Sequence, residues 1–253
     1  MAGAAVLGRL EWHVGTVVAL RDETATARTI ALQVADWPGH VAGQRVDLRV
    51  TSADGYSAVR EYSIASAPRV DGRIELSVER LANGEVSPYL TQDLAVGDRL
   101  ELRGPIGGWF VWHEAQIEPI QLVAGGSGIV PLMAMIRSRE TARSSAPFRL
   151  LYSVRHPASI WYHDELQNLT AANHGVDITF VYTRSTPANW PRPPARIDST
   201  LLAAVSWPAV LSPTCYVCGP TSFVEHIAGL MTSSGHSPER IRTERFGPSG
   251  NHS

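Results

Sequence analysis

The sequence pattern changes near residue 115, and this change constrains the fold more than any other feature of the chain. Before it, short runs rich in Val, Ile, Leu and Tyr are separated by Gly, Asp or Pro, which is typical of β-strands. These runs are EWHVGTVVAL, ARTIALQVAD, GQRVDLRV, VREYSIAS, GRIELSVERL and GDRLELRGP. With one short helical candidate, SPYLTQDL, they predict a small antiparallel β-barrel.

Beyond residue 115, strand-like and helix-like segments alternate. The strand-like segments PIQLVAGG, PFRLLYSV, VDITFVYT and TCYVCG are followed in turn by helical IVPLMAMIRSRETAR, HDELQNLTAAN, STLLAAV and TSFVEHIAGLMTSSG. Such alternation indicates a parallel sheet in an α/β domain. We therefore predict two domains, a β-barrel over residues 1–113 and an α/β domain over residues 114–253.

Composition argues against several function classes. The 253 residues carry a formal net charge of -2, which gives no support for a nucleic-acid or anionic-membrane partner. No apolar run approaches the roughly 20 residues of a membrane span, and the N-terminal stretch lacks the basic first region of a secretion signal, so we expect a cytoplasmic protein. Two cysteines, Cys215 and Cys218, are too few for an iron–sulfur cluster or a four-sulfur zinc site. No metal site is expected, and the CxxC spacing lies in a strand, which disfavours a redox disulfide.

Two predicted strands end in turns that open helices. Gly125, Gly126 and Gly128 follow the first, where glycines let a phosphate or ring approach the backbone and the helix supplies free N–H groups. This is not the GxGxxG pattern, so a plain tight turn is an equal alternative. Cys218, Gly219 and Pro220 end the second. Ligands of open parallel sheets bind at carboxyl strand ends, so both turns are expected to edge one crevice. A small buried cysteine with no further role is the alternative there.

The stretch VREYSIASAP raises a question of charge. Alternation places Arg60, Tyr62 and Ile64 on one face of a strand. Because an unpaired buried charge is costly, either Arg60 lies at a solvated edge or an anionic group meets it there.

Five short segments occur in one order along the chain: REYS, GPIGGWF, GGSGIVP, CGP and TERF. Together they resemble the ferredoxin–NADP reductase superfamily of flavoproteins, in particular its compact two-domain bacterial members without a fused ferredoxin domain. The resemblance runs from about residue 12 to residue 247. It implies an FAD-binding barrel domain over residues 1–113 and an NAD(P)-binding domain over residues 114–253.

The resemblance also implies a set of flavin contacts. Arg60 is expected to pair with the FAD pyrophosphate, Tyr62 to stack on the isoalloxazine ring, and Ser63 to hydrogen-bond near flavin N5. In NGEVSPYL, Gly84 would allow close approach of a second phosphate. Val86 would offer a backbone N–H, and Ser87 an N–H and a hydroxyl. FAD is thus favoured over FMN, although Ser87 as a simple helix N-cap remains the alternative.

The end of the chain carries two further implied roles. Glu244 is a candidate for proton handling or for positioning the nicotinamide, and Phe246 for shielding the other face of the flavin. The segment ERFGPSG is expected to follow the final strand. Plant-type members close the site with a terminal Tyr, whereas seven residues follow Phe246 here, so simple packing of Phe246 is left open.

NADPH is favoured over NADH as the electron donor. Thr183 and Arg184 follow a predicted strand in the position where NADPH-using relatives hold the 2′-phosphate. Arg192 and Arg196 follow with no acidic residue between them.

The resemblance implies hydride transfer from the nicotinamide, lying between the Gly125 turn and Cys218, to flavin N5. Single electrons would then pass to a separate protein partner, such as a ferredoxin or an oxygenase component. One alternative is reduction of a small acceptor, such as free flavin, a quinone or a ferric chelate. A second alternative is a non-enzymatic redox-sensing module. A monomer is expected.

Overall fold

The first half of the protein is an antiparallel β-structure. The computed structural model describes residues 11–52, 54–172 and 175–246. Six strands form one antiparallel sheet: β1 (Trp12–Thr24), β2 (Ala27–Val34), β3 (Arg45–Thr51), β4 (Ser57–Ser63), β5 (Arg73–Glu79) and β6 (Arg99–Ile106). Their order in the sheet is β4-β3-β6-β1-β2-β5.

The two edge strands of this sheet meet and close it into a barrel. Just beyond β4, Ile64 forms an antiparallel bridge with Leu76 of β5. The N–H of Ala65 donates to the carbonyl of Glu75 at 2.7 Å. The interior is filled by fully buried side chains, including Ile30, Leu32, Leu48, Leu76 and Leu102. The predicted barrel is confirmed.

The helical candidate SPYLTQDL forms a helix of unusual geometry. Its residues Tyr89–Asp93 form a π-helix whose buried Leu90 packs in the barrel core. The hydroxyl of Thr91 donates to the carbonyl of Ser87 at 2.7 Å. This hydrogen bond satisfies the buried Thr91 hydroxyl. The spacing of apolar residues in the sequence does not predict it.

The second half of the chain is a parallel α/β structure, as predicted. Its strands are β7 (Ile120–Gly125), β8 (Phe148–Val154), β9 (Val176–Tyr182), β10 (Thr214–Pro220) and β11 (Ile241–Phe246). They lie in the order β11-β10-β7-β8-β9. The helices are α1 (Ile129–Ala142), α2 (His163–Ala172), α3 (Ser199–Val205) and α4 (Thr221–Ser233). Of the helices in the described ranges, none has the length and apolarity needed to cross a membrane.

The fifth parallel strand, β11, corrects one prediction. The sequence places ERFGPSG after the final strand, and this is wrong for Glu244 and Phe246, which belong to β11. This strand contains Arg242, Glu244 and Arg245 and pairs with β10 at the sheet edge. Its polar composition hides it, because an edge strand need not be apolar on both faces. The remainder of that segment, residues 247–250, lies outside the described residues.

A partly buried charged group, the guanidinium of Arg137, joins the two halves of the molecule. Arg137 of α1 donates to both carboxylate oxygens of Glu165, at 2.8 and 2.6 Å. It also reaches the barrel, donating to the carbonyl of Ala65 at 2.9 Å and to Glu75 at 3.2 Å. Beside it, the hydroxyl of Tyr162 donates to Ser77 at 2.5 Å. The carboxyl end of β4 and the helix after the Gly125 turn are therefore fixed to each other.

Candidate functional site

The two glycine-containing turns predicted to edge one crevice lie against each other. A Cβ built on Gly128 would lie 2.2 Å from the carbonyl oxygen of Cys218, and one on Gly125 would lie 2.8 Å from the ring of Phe223. The Cβ of a side chain at Gly219 would meet the same ring at 2.9 Å. At these three positions a side chain would clash, so glycine allows the two turns and the ring of Phe223 to pack closely. Gly126 differs, because it has φ +55° and a Cβ built on it would have no atom of the described residues within 4 Å, so it leaves open space at the turn.

Cys218 and Glu244 are direct neighbours across the β10–β11 pair. Cys218 is fully buried, and burial raises the pKa of its thiol well above the usual value, with the nearby Glu244 carboxylate adding to this effect. The thiol therefore stays protonated and contributes packing and shape rather than a nucleophile. Pro220 is exposed and immediately precedes α4.

Burial raises the pKa of Glu244 to about 7. Arg45 of β3 opposes this rise, and Glu61 of β4 adds to it. A carboxyl group that titrates near neutrality can hold or release a proton under ordinary conditions. Since Arg45 and Glu61 belong to the barrel, the electrostatics of Glu244 are set by both halves of the molecule.

Arg45 is a site residue that the sequence analysis missed. It lies opposite Ser63 in the β3–β4 register. Its Nε lies 3.0 Å from a carboxylate oxygen of Glu61, but the two groups are not aligned as a hydrogen bond. The buried Nε has no hydrogen-bond partner among the residues that the structure describes. Its register partner Ser63 was singled out from the sequence, but the pairing of β3 with β4 that brings Arg45 to it is supplied by the structure.

The structure answers the question that Arg60 raises. Arg60 and Tyr62 lie opposite Leu48 and Val46, whose side chains are fully buried, so both start from the inner face of the sheet. The guanidinium of Arg60 is nevertheless half exposed and lies 2.5 Å from the carboxylate of Glu85. The edge is solvated and an anionic group does meet the charge. Both explanations given for Arg60 therefore apply.

Ser63 is buried, with 4% of its surface exposed, and its hydroxyl has no hydrogen-bond partner within the described residues. An unsatisfied buried hydroxyl is costly, so its presence fits a ligand that supplies hydrogen-bonding atoms at this position. Tyr62 is half-buried beside it, and burial raises the pKa of its phenol to about 12, although Arg60 opposes the rise. The phenol is therefore neutral and suited to lie against a ring.

The segment NGEVSPYL departs from the predicted details. The hydroxyl of Ser87 accepts the N–H of Leu81 at 3.0 Å, so it closes the preceding turn and does not cap the helix as the alternative proposed. Val86 is 2% exposed and packs in the barrel core. A Cβ on Gly84 would lie 2.7 Å from Ser87 Oγ, so a larger residue here would displace the hydroxyl that closes this turn. Glu85 points to Arg60 and was not singled out from the sequence.

The predicted nucleotide end of the crevice is rich in positive charge. The hydroxyl of Thr183 donates to the carbonyl of Val154 at 3.3 Å, and the backbone N–H of Arg184 donates to the carbonyl of Arg155 at 3.0 Å. These contacts hold the two loops together after β8 and β9. Four exposed arginines there have no carboxylate partner within the described ranges: Arg155, Arg184, Arg192 and Arg196.

Three remaining features concern Phe246, the cysteines and metals. Phe246 lies opposite Pro220 and packs, half-buried, against the α/β core. Cys215 and Cys218 are both free thiols, on opposite faces of β10. Among the residues that the structure describes, no group of His, Cys, Asp and Glu side chains has the arrangement of a metal site.

Fold and site together define a two-domain protein with an antiparallel barrel followed by a parallel α/β half, and a family model matches each half. One family model, the oxidoreductase FAD-binding domain, matches residues 21–111, and a second, the oxidoreductase NAD-binding domain, matches residues 122–229. The chain belongs to the ferredoxin–NADP reductase superfamily.

Similar proteins include reductase components. The glycine betaine monooxygenase reductase subunit of Chromohalobacter salexigens is 28% identical over 206 residues, which covers 81% of this chain and 55% of that relative. The ferredoxin–NAD(P)(+) reductase component of naphthalene 1,2-dioxygenase/salicylate 5-hydroxylase systems of a Ralstonia species is 27% identical over 238 residues. That match covers 93% of this chain and 69% of the relative.

Solved structures share the whole architecture. The cytochrome P450 reductase GcoB of Amycolatopsis matches with a TM-score of 0.82 and 26% identity, covering 97% of this chain and 74% of that chain. The chain spans between 55% and 69% of the length of the two curated relatives described above.

Proposed function

We propose that this protein is an NAD(P)H-dependent flavoprotein reductase that takes hydride from NADPH onto FAD and passes electrons singly to a separate protein acceptor. The observation that carries the proposal is the buried hydroxyl of Ser63, which has no hydrogen-bond partner in the described part of the chain. It lies opposite Arg45, whose charge acts in turn on Glu244 across the two halves. The names of the relatives, which are reductase components of oxygenase systems, support a protein acceptor.

On the flavin side, each residue has a defined task. Bound FAD would accept two electrons and release them one at a time. Arg60 would bind the pyrophosphate through its guanidinium, Tyr62 would lie against the ring, and Ser63 would donate or accept at the ring edge. Val86 and Ser87 would offer backbone N–H groups to the second phosphate, and Gly84 would allow its close approach.

On the nicotinamide side, Gly126 would allow a ring or phosphate to approach the turn, while Gly125, Gly128 and Gly219 keep that turn compact around Phe223 and Cys218. Cys218 and Pro220 would shape the wall against which the nicotinamide lies. Glu244 would hold or release a proton near the reacting atoms, and Phe246 would cover the other face of the flavin.

The 2′-phosphate of NADPH would bind between Thr183 and Arg184. We predict that Arg184→Ala raises the KM for NADPH at least about tenfold, because a charge-assisted pair is lost, and leaves the KM for NADH nearly unchanged. Steady-state kinetics with both nucleotides measure this. Arg99→Ala, an exposed cation on β6 of the barrel, serves as the control for loss of surface charge. Equal effects of Arg184→Ala on both nucleotides would remove the 2′-phosphate role.

The proposal is tested by a visible spectrum of the purified protein, followed by anaerobic addition of NADPH or NADH. A yellow protein that NADPH bleaches faster than NADH is the expected result. A colourless protein that binds no FAD and responds to neither nucleotide would overturn it. Fast turnover with free flavin, a quinone or a ferric chelate alone would instead favour a small acceptor.

Three further predictions from the sequence stay proposals: the domain boundary between residues 113 and 114, the monomeric state and the cytoplasmic location. The boundary falls in the segment that joins β6 to β7. Size-exclusion chromatography with light scattering measures the oligomeric state.

A further inference from the structure

The guanidinium that is expected to bind the flavin pyrophosphate already has an anionic partner in the protein. Arg60 lies 2.5 Å from one carboxylate oxygen of Glu85 and also donates to the carbonyl of Val59 at 2.8 Å. The other oxygen of Glu85 accepts a hydrogen bond from the hydroxyl of Tyr56 at 3.2 Å. Both oxygens of the carboxylate are therefore held, and they are held by residues of the β3–β4 hairpin.

The position of Glu85 brings the Arg60–Glu85 pair to the expected flavin site. Glu85 lies between Gly84 and Val86, in the turn before the π-helical segment, where the resemblance places a flavin phosphate. A carboxylate and a phosphate repel each other, and both seek the donors of Arg60. Arg60 and Glu85 are each about half exposed, with 50% and 53% of their side chains accessible, so the pair can open without exposing core.

We propose that Glu85 competes with the flavin pyrophosphate for Arg60, and that this competition weakens flavin binding. When flavin is absent, Glu85 and Tyr56 keep the guanidinium at the barrel edge. When flavin binds, the Arg60–Glu85 contact is lost or shared, and the carboxylate stays close to the phosphates. The inference rests on the proposed flavin function and identifies a residue that tunes it.

The test is flavin titration of the apoprotein, followed by protein fluorescence, for the wild type and Glu85→Gln. The amide keeps the size of the side chain and removes its charge. We expect Glu85→Gln to lower the Kd for FAD and for FMN about threefold to tenfold. The Kd for riboflavin, which has no phosphate, should not change. An unchanged or higher Kd for FAD in Glu85→Gln would overturn the inference.

A matched control separates this effect from general loss of negative charge. Glu101 forms a similar but less exposed pair with Arg49, at 2.6 Å and with side chains 39% and 31% accessible, on another part of the barrel. Glu101→Gln should leave the Kd for FAD unchanged. An equal gain in Glu101→Gln would mean that net charge, and not competition at Arg60, sets the affinity.

A double-mutant comparison tests whether Glu85 acts through Arg60. If it does, Glu85→Gln should give a smaller gain in FAD affinity in an Arg60→Met background than in the wild type, because the cation for which the anions compete is gone. A full gain in that background would contradict competition. A wild-type protein that binds no FAD overturns the proposed function and this inference together. A wild type that binds FAD as tightly as Glu85→Gln overturns the inference alone.

Discussion

At the scale of single residues, the site is built from groups that the folded chain leaves incompletely satisfied. The hydroxyl of Ser63 has no partner among the described residues, Arg45 Nε is buried without a hydrogen bond, and Glu244 has a raised pKa. Each of these features costs folding free energy. Proteins tend to keep such groups where they serve binding or chemistry, because a structural position would be satisfied.

Ser63→Ala should affect stability and chemistry in opposite directions. Removing an unsatisfied buried hydroxyl should leave the free energy of unfolding of the apoprotein unchanged or raise it by about 1 kcal/mol. Loss of a hydrogen bond at the ring edge should slow flavin reduction by NADPH about tenfold to a hundredfold. Urea denaturation of the apoprotein and stopped-flow reduction of the holoprotein measure the two effects. A large loss of apoprotein stability would mean that the hydroxyl has a structural partner.

Glu244 should make stability depend on pH between about pH 5 and pH 7, because its pKa is raised to about 7 in the folded state. The folded protein binds the proton more tightly than the unfolded chain, so this contribution is present at low pH and is lost as pH rises through 7. The stability of the wild type relative to Glu244→Gln should therefore fall over this window. Urea denaturation of both proteins at several pH values measures it. Parallel pH profiles would show that Glu244 does not titrate there.

The residue scale also shows the limit of sequence reasoning. Arg60 could be singled out from the sequence because alternation places its charge on the same strand face as Ile64, within one short segment. Glu85 and Arg45 act through contacts with other segments, and nothing in their own neighbourhoods marks them. Their roles follow from strand register and from the path of the turn before the π-helical segment, which only the folded structure supplies.

At the scale of elements, strand and helix types were predictable where one face or both faces are buried. β7, β8 and β10 are buried strands between helices, and their apolar runs indicate them clearly. β11 was missed because its residues include three charged side chains at the sheet edge. The π-helical geometry of Tyr89–Asp93 was not predicted, because the residues of this short segment indicate that a helix forms but not which type of helix.

The glycine turns after β7 offer a matched pair of substitutions. Gly128→Ala would place a Cβ 2.2 Å from the carbonyl oxygen of Cys218, so the two turns must move apart. We expect a loss of about 2 to 4 kcal/mol in the free energy of unfolding and weaker nucleotide binding. Gly126→Ala faces open space and should cost only about 1 kcal/mol, for its left-handed backbone. Urea denaturation of both variants measures the difference, and equal losses would contradict the packing role of Gly128.

At the scale of the whole molecule, the two halves are joined by polar contacts that neither half could satisfy alone. Arg137 of α1 is 16% exposed and meets Glu165 of its own half together with Glu75 and Ala65 of the barrel. Burial alone would lower its pKa, but the hydrogen bond and charge of Glu165, with Tyr162 and Glu75, raise it overall, so the guanidinium remains charged. The sequence predicts two halves but does not predict this connection, which depends on how they dock.

Arg137→Met should therefore destabilise the molecule and loosen the junction. Two carboxylates, Glu75 and Glu165, would lose their cation, and because they are 20% and 37% accessible, solvent screening reduces the cost from the roughly 3 to 5 kcal/mol typical of a fully buried pair to about 1 to 3 kcal/mol. Differential scanning calorimetry should show a lower midpoint, and the transition should broaden or split as the halves unfold separately. Arg49→Met removes a cation from a more exposed pair on the barrel, 31% accessible, and should change the midpoint little. A single sharp transition at the wild-type midpoint in Arg137→Met would show that the contacts of Arg137 do not set the stability of the junction.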